Sequence, residues 1–196
     1  MFDDIKDCLW IGCSDIPGAG DDAISPLSNI LYHDNIANLV AVSDINCLSV
    51  IQYAVDLCRV ETIVICGHYG CRGVATAVAN RHFDFLSNWL NPVVGTAAKY
   101  SFVLDSISDT SDRLDALCEL NVIEQVAAAS RTTVVRDAWE SGQILSVRGL
   151  ILDETSGFLE DLQLSMSKIE SPSAEYTAAI VSWAKRWNRP SLARSD

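Results

Sequence analysis

Two thiols and an imidazole in this chain stand where metal chemistry is done: Cys13, His68 and Cys71. Cys13 closes the apolar run Cys8-Leu9-Trp10-Ile11-Gly12-Cys13. His68 and Cys71 follow a second run, Thr62-Ile63-Val64-Ile65-Cys66-Gly67, in the string Gly67-His68-Tyr69-Gly70-Cys71. Short, uninterrupted apolar runs read as strands of a buried parallel sheet. In open α/β sheets the crevice beyond the carboxyl ends of such strands is where ligands bind. Two thiolates and an imidazole converging there suit Zn2+, which then keeps one position for water or a fourth side chain. Singly, each residue would pass for a buried cysteine or a core histidine; together, their strand-end places argue for a shared ion.

The elements that must position them follow from the apolar pattern. A first strand covers about Asp7 to Cys13, and a Gly/Pro/Asp-rich stretch from Ser14 through Asp21 and Asp22 reads as loop. A second extended piece, Asn29 to His33, leads into Asp34-Asn35-Ile36-Ala37-Asn38. Ser43 or Asp44 can cap a helix running to about Cys58. Leu48, Ile51, Val55 and Cys58 line one face of it, and Val50, Tyr53 and Leu57 make the other apolar too, which predicts a buried helix. Strand Thr62 to Cys66 follows, then a short helix from Gly73 to Asn80. Leu114, Leu117, Cys118, Val122, Val126 and Ala129 mark a core helix, and a shorter one spans Thr133 to Glu140. Ile144 to Leu152 reads as a strand, and Ala174 to Trp187 as an amphipathic helix after a Ser/Pro linker. The alternation predicts an α/β fold with a short, mainly parallel β-sheet flanked by helices. One domain is expected over 1–196, with 170–196 a C-terminal helical tail.

Composition narrows the function classes. The chain has 196 residues, 49% hydrophobic and 20% charged, with a net charge of −12. That is the make-up of a folded globular protein. A nucleic acid partner is not expected, because phosphate binding needs a basic face, and an anionic membrane surface is disfavoured for the same reason. No apolar stretch reaches the length of a membrane span. The start, Met1-Phe2-Asp3-Asp4-Ile5-Lys6-Asp7, lacks the features of a signal peptide. Seven cysteines, several inside apolar runs, fit a reduced, cytoplasmic protein better than a disulfide framework. His33 and His82 show no partner in the sequence, and His82 reads as surface.

Several blocks resemble the signature of the β-class carbonic anhydrases. They are Leu9-Trp10-Ile11-Gly12-Cys13-Ser14-Asp15, Asn35-Ile36-Ala37-Asn38-Leu39-Val40 and Gly67-His68-Tyr69-Gly70-Cys71. Further matches run through residues 44–55 and 114–122, so that the resemblance extends from about residue 8 to about residue 162. It implies Zn2+ held by Cys13, His68 and Cys71, and hydration of CO2 to bicarbonate by a hydroxide that zinc supplies at neutral pH. It also implies a homodimer or higher homo-oligomer, and a catalytic aspartate at Asp15 that orients the hydroxide.

The departures from that signature fall around the metal. Where the family has an arginine two residues beyond the aspartate, pairing with it, this chain has Pro17. The family's Arg-Asn reads Asp34-Asn35, and a charge at Asp34 would repel bicarbonate if it faced the site. Arg72 replaces the first glycine after the second cysteine ligand. The helical arm that usually precedes the first strand has no counterpart in this sequence. Without its arginine, Asp15 is a free carboxylate beside a metal, so the expectation is that Asp15 itself becomes a fourth ligand and that CO2 hydration is impaired. Arg72 is the one residue nearby that can take over as Asp15's partner. The alternatives are a catalytically inactive, zinc-stabilised homologue with a binding or regulatory role, and an enzyme acting on another small electrophile.

Overall fold

Five strands form one sheet: β1 (Cys8–Cys13), β2 (Ile30–Asn35), β3 (Thr62–His68), β4 (Ser146–Asp153) and β5 (Phe158–Met166), in the order β2-β1-β3-β4-β5. β2, β1, β3 and β4 run parallel and β5 is antiparallel to β4. This is the mainly parallel sheet that the apolar runs predict. The computed structural model describes residue 5 and residues 7–18, 29–79, 83–168 and 172–188. Asp21, Asp22, His82, the residues 170–171 and the stretch 189–196 lie outside the described residues, with the expectations attached to them.

The runs are continuous because both faces of the central strands are covered. Leu9, Ile11, Ile63, Ile65, Val147 and Ile151 enter the main core. Cys8, Trp10, Val64, Cys66 and Leu150 enter a second cluster on the other face. Trp10 is fully buried there, as core packing requires.

The helices are α1 (Ile45–Gln52), α2 (Arg72–Val78), α3 (Asp84–Lys99), α4 (Ser101–Leu104), α5 (Thr110–Ser130), α6 (Thr133–Glu140) and α7 (Pro172–Trp187). Asp44, Asp109 and Thr132 cap α1, α5 and α6 by accepting a first-turn N–H. α1 continues as a π-helical turn over Tyr53–Leu57. One expectation for this segment is overturned: Ile51 and Val55 are buried, but Cys58, expected on the same face, is exposed, and Tyr53 and Leu57 are 52% and 69% exposed. An all-round apolar helix buries both sides only when something packs on each; here Val50 still packs against the core, but Tyr53 and Leu57 face outward.

α5 is the pivot that joins the strands carrying Cys13 and His68 to the rest. Gly67 and Gly149 let it lie close: a Cβ on Gly67 would come 2.6 Å from Val122 Cγ2, and one on Gly149 would come 3.1 Å from Val122 Cγ1. From Ala116 onward α5 is largely buried, and three of its four buried polar side chains, Glu119, Asn121 and Gln125, reach toward the site. Buried polar groups need partners, and these find theirs in the loops of the site. Gln125 accepts from the Val40 N–H (3.0 Å), and Asn121 Nδ2 donates to the Ala37 carbonyl (2.8 Å). Tyr69 OH donates to Glu119 (2.8 Å).

Candidate metal centre

β1 ends at Cys13 and β3 ends at His68, on adjacent strands whose register pairs Ile11 with Ile65. The chain then turns tightly through Gly70, whose φ of +69° suits glycine. Asp115 of α5 fixes that turn by accepting the Gly70 N–H (3.1 Å). The turn delivers Cys71 to the N-cap of α2. After β1 a second turn, closed by the Ile16 N–H on the Cys13 carbonyl (3.0 Å), brings Asp15 back over the strand ends.

The result is one compact cluster: ligand atoms of Cys13, Asp15, His68 and Cys71 all lie within 4.8 Å of one another. Cys13 Sγ and Cys71 Sγ are 3.7 Å apart. Asp15 Oδ2 is 3.8 Å from Cys71 Sγ and 3.8 Å from His68 Nε2. A zinc tetrahedron with Zn–S of about 2.3 Å has S···S edges of about 3.8 Å, so the spacing fits an ion at the centre. His68 Nε2 is buried and forms no well-made hydrogen bond. A buried acceptor without a partner is costly, and here it faces two thiols and a carboxylate. The donor set of two sulfurs, one nitrogen and one oxygen suits Zn2+ rather than Mg2+ or Ca2+.

The electrostatics prepare the thiols for a cation. The Asp15 and Ala37 N–H groups point at Cys13 Sγ (3.5 and 3.4 Å). Ala37 reaches that position only in the left-handed region, at φ 64°, a strained place for a residue with a Cβ. The Cys71 S–H and these N–H groups outweigh burial and hold Cys13 well below the usual thiol range. Cys71, sharing its proton with Cys13 and buried, is pushed up. Divalent metal binding displaces that remaining proton.

Asp15 is the decisive contact. Burial alone would raise its carboxyl, but Arg72 overrides it and holds the group below its ordinary range. Oδ1 accepts from Arg72 Nε (3.2 Å) and Nη2 (2.9 Å), and Oδ2 accepts from the Arg72 backbone N–H (2.9 Å). That N–H belongs to the first turn of α2, where it has no partner within the helix. Pro17 is exposed. Arg72, and not residue 17, therefore contacts both carboxylate oxygens.

Other candidates fall outside the cluster. Asp34 sits on β2 opposite Gly12, with Oδ1 buried and unpartnered and its carboxyl raised by burial. His33, Asp44 and Cys47 form a second close group, but Asp44 caps α1 and the Cys47 thiol faces the Leu39 carbonyl (4.0 Å). An apolar cavity of about 470 Å³, lined by Ser14, Asn35, Ile36, Phe85, Leu86 and Trp89, opens beside the cluster. Sequence reasoning missed Asp115, Glu119 and Glu154, whose Oε1 lies 2.8 Å from His68 Nδ1. These are polar residues on α5 and beyond β4 that touch the site only through tertiary packing.

Comparison with known proteins agrees with this geometry. A carbonic anhydrase family profile matches residues 8–159. The chain is 35% identical to a carbonic anhydrase of Emericella nidulans over 162 residues, which is 82% of this chain and 71% of the relative. It is also 35% identical to a Candida albicans carbonic anhydrase over 165 residues, 83% of this chain and 58% of the relative. A tetrameric β-carbonic anhydrase of Sordaria macrospora superposes with a TM-score of 0.75 at 33% identity, over 83% of each chain. The chain belongs to the β-carbonic anhydrase family, whose general reaction is the hydration of CO2.

Proposed function

We propose that this protein is a zinc carbonic anhydrase that interconverts CO2 and bicarbonate, with Arg72 doing the work of the missing arginine. The observation that carries the proposal is the Arg72–Asp15 contact, in which Nε, Nη2 and the backbone N–H engage both carboxylate oxygens. Cys13, His68 and Cys71 would hold the ion, which supplies hydroxide by lowering the pKa of its water to about 7. Asp15 orients that nucleophile by accepting its hydrogen bond, and Arg72 fixes Asp15. Arginine suits the task because its planar fork grips a carboxylate from a defined direction. The open, apolar groove beside Ser14 gives a small neutral molecule such as CO2 an apolar approach.

One observation favours a second reading. Oδ2 lies at equal 3.8 Å distances from His68 Nε2 and Cys71 Sγ, the place of a fourth ligand. In that arrangement Asp15 closes the site, and the protein keeps zinc for stability while hydrating CO2 slowly or not at all. Stopped-flow CO2 hydration on protein with one zinc per chain separates the two. Turnover well above buffer supports the enzyme; full zinc occupancy with no turnover supports the closed site.

We also propose a homo-oligomer within a reducing compartment. Phe85 and Phe102, each 91% exposed, and the outer face of α1 offer apolar surface for a second copy. All seven cysteines are free thiols, and no described helix is long and apolar enough to cross a membrane.

A further inference from the structure

We infer that Glu154 is a positioning residue for the metal ligand His68, fixing its tautomer and aim. The inference rests on the zinc reading above and deepens it.

Parallel register pairs His68 with Leu152, and the Tyr69 N–H extends the ladder to the Leu152 carbonyl (2.9 Å). Glu154 follows two residues further along, just past the end of β4. Its Oε1 then meets His68 Nδ1 at 2.8 Å. The Tyr69 carbonyl lies 3.1 Å from the same nitrogen. Two acceptors at one ring nitrogen require Nδ1 to carry the proton. In the neutral ring that leaves the lone pair on Nε2, the buried, unpartnered atom that faces Cys13, Asp15 and Cys71.

The turn that carries Glu154 is itself well built. Asp153 accepts from the Thr155 N–H (2.9 Å) and the Ser156 hydroxyl (2.8 Å). Ser156 Oγ accepts from the Phe158 N–H (3.2 Å), and Gly157 takes the left-handed corner at φ +67°. The residues on either side, Asp153 before it and Thr155 to Phe158 after it, therefore hold the backbone of Glu154 in place without using its carboxylate. A carboxylate behind a metal-bound histidine locks the ring and raises its basicity, and losing such a partner costs 10–100-fold in metal affinity.

The test is zinc affinity, measured by chelator competition on wild type, Glu154→Ala and Glu154→Gln. Glu154→Ala is expected to bind zinc about 10–100-fold more weakly, and Glu154→Gln, which keeps an acceptor, to recover part of that loss. The metal-free proteins are expected to melt together, because the turn stands on Asp153, Ser156 and Gly157. Zinc affinity of Glu154→Ala within twofold of wild type overturns the inference. A metal-free Glu154→Ala that melts well below metal-free wild type also overturns it, since Glu154 would then be holding the fold. A wild type that fails to bind one zinc per chain removes the zinc reading itself, a separate and distinguishable failure.

Discussion

At the scale of single residues, the site turns on who holds Asp15. Arg72 is 82% exposed and Asp15 21%, so the pair adds little to stability; its value is direction. Because Oδ1 is already gripped, Pro17→Arg in the wild-type background is expected to change CO2 hydration less than threefold. A gain of an order of magnitude would show that Arg72 leaves the work undone. Asp15→Asn removes the negative charge at the fourth corner. In the cobalt-substituted protein, added thiocyanate or azide is then expected to shift the visible spectrum more than in wild type; equal shifts would show that Asp15 does not guard that corner. Cys13, His68 and Cys71 could be grouped from the sequence because each ends or follows an apolar run, which puts them at the carboxyl end of the sheet. Glu154 was not, since its place beside His68 depends on the β3–β4 register and on a turn, neither of which leaves a local mark. Arg72 was legible as a departure from the family pattern, although its grip on both oxygens depends on the turn after Cys13.

At the scale of elements, α5 and α7 set the frame. Glu124 of α5 accepts from Lys99 Nζ (2.8 Å), Tyr100 OH (3.1 Å) and Tyr176 OH (2.6 Å), tying α3 and α7 to the central helix. Burial would raise its carboxyl, but Lys99 and the two tyrosines hold it below its ordinary range. A depressed folded pKa contributes stability above the unfolded value of 4.5 that is lost as pH falls through the folded one. Glu124→Gln is therefore expected to lower stability by about 1–3 kcal/mol at pH 7, in denaturant melts, with the gap to wild type closing below pH 4.5. A gap that stays constant into acid would contradict that account. Gly67→Ala should cost about 1–3 kcal/mol by overpacking against Val122, and an unchanged midpoint would mean that α5 can move away. Most helices were legible, and the span Thr133–Glu140 was read to the residue. α3 was not, because Pro92 and Gly95 inside it both argue against a helix. β5 was hidden by Glu160, Asp161 and Gln163, poor strand formers, and by the irregularity opposite Arg148 and Leu150 that breaks its alternation.

At the scale of the whole molecule, metal, fold and assembly should be coupled. Zinc bound to the native state alone stabilises it by mass action, so chelation is expected to lower the melting temperature, and an unchanged melt would place the ion outside the folded core. Mass in solution should be at least that of a dimer, and a monomer at all concentrations would leave Phe85, Phe102 and Tyr53 unexplained. The mainly parallel sheet and the strand-end cluster were expected from sequence, but the strand order β2-β1-β3-β4-β5 was not; nor was the exposed outer face of α1, since apolar periodicity cannot say which side another chain will cover. The most direct measurement is the initial rate of CO2 hydration by zinc-loaded wild type and Arg72→Ala, compared by stopped flow across about pH 6.5–9, the range that brackets the titration of zinc-bound water. Clear wild-type turnover that falls tenfold or more in Arg72→Ala, at equal zinc content, is the predicted result. Equal rates in the two proteins, or no turnover in either, would contradict the assignment of Arg72 as the partner that makes Asp15 productive.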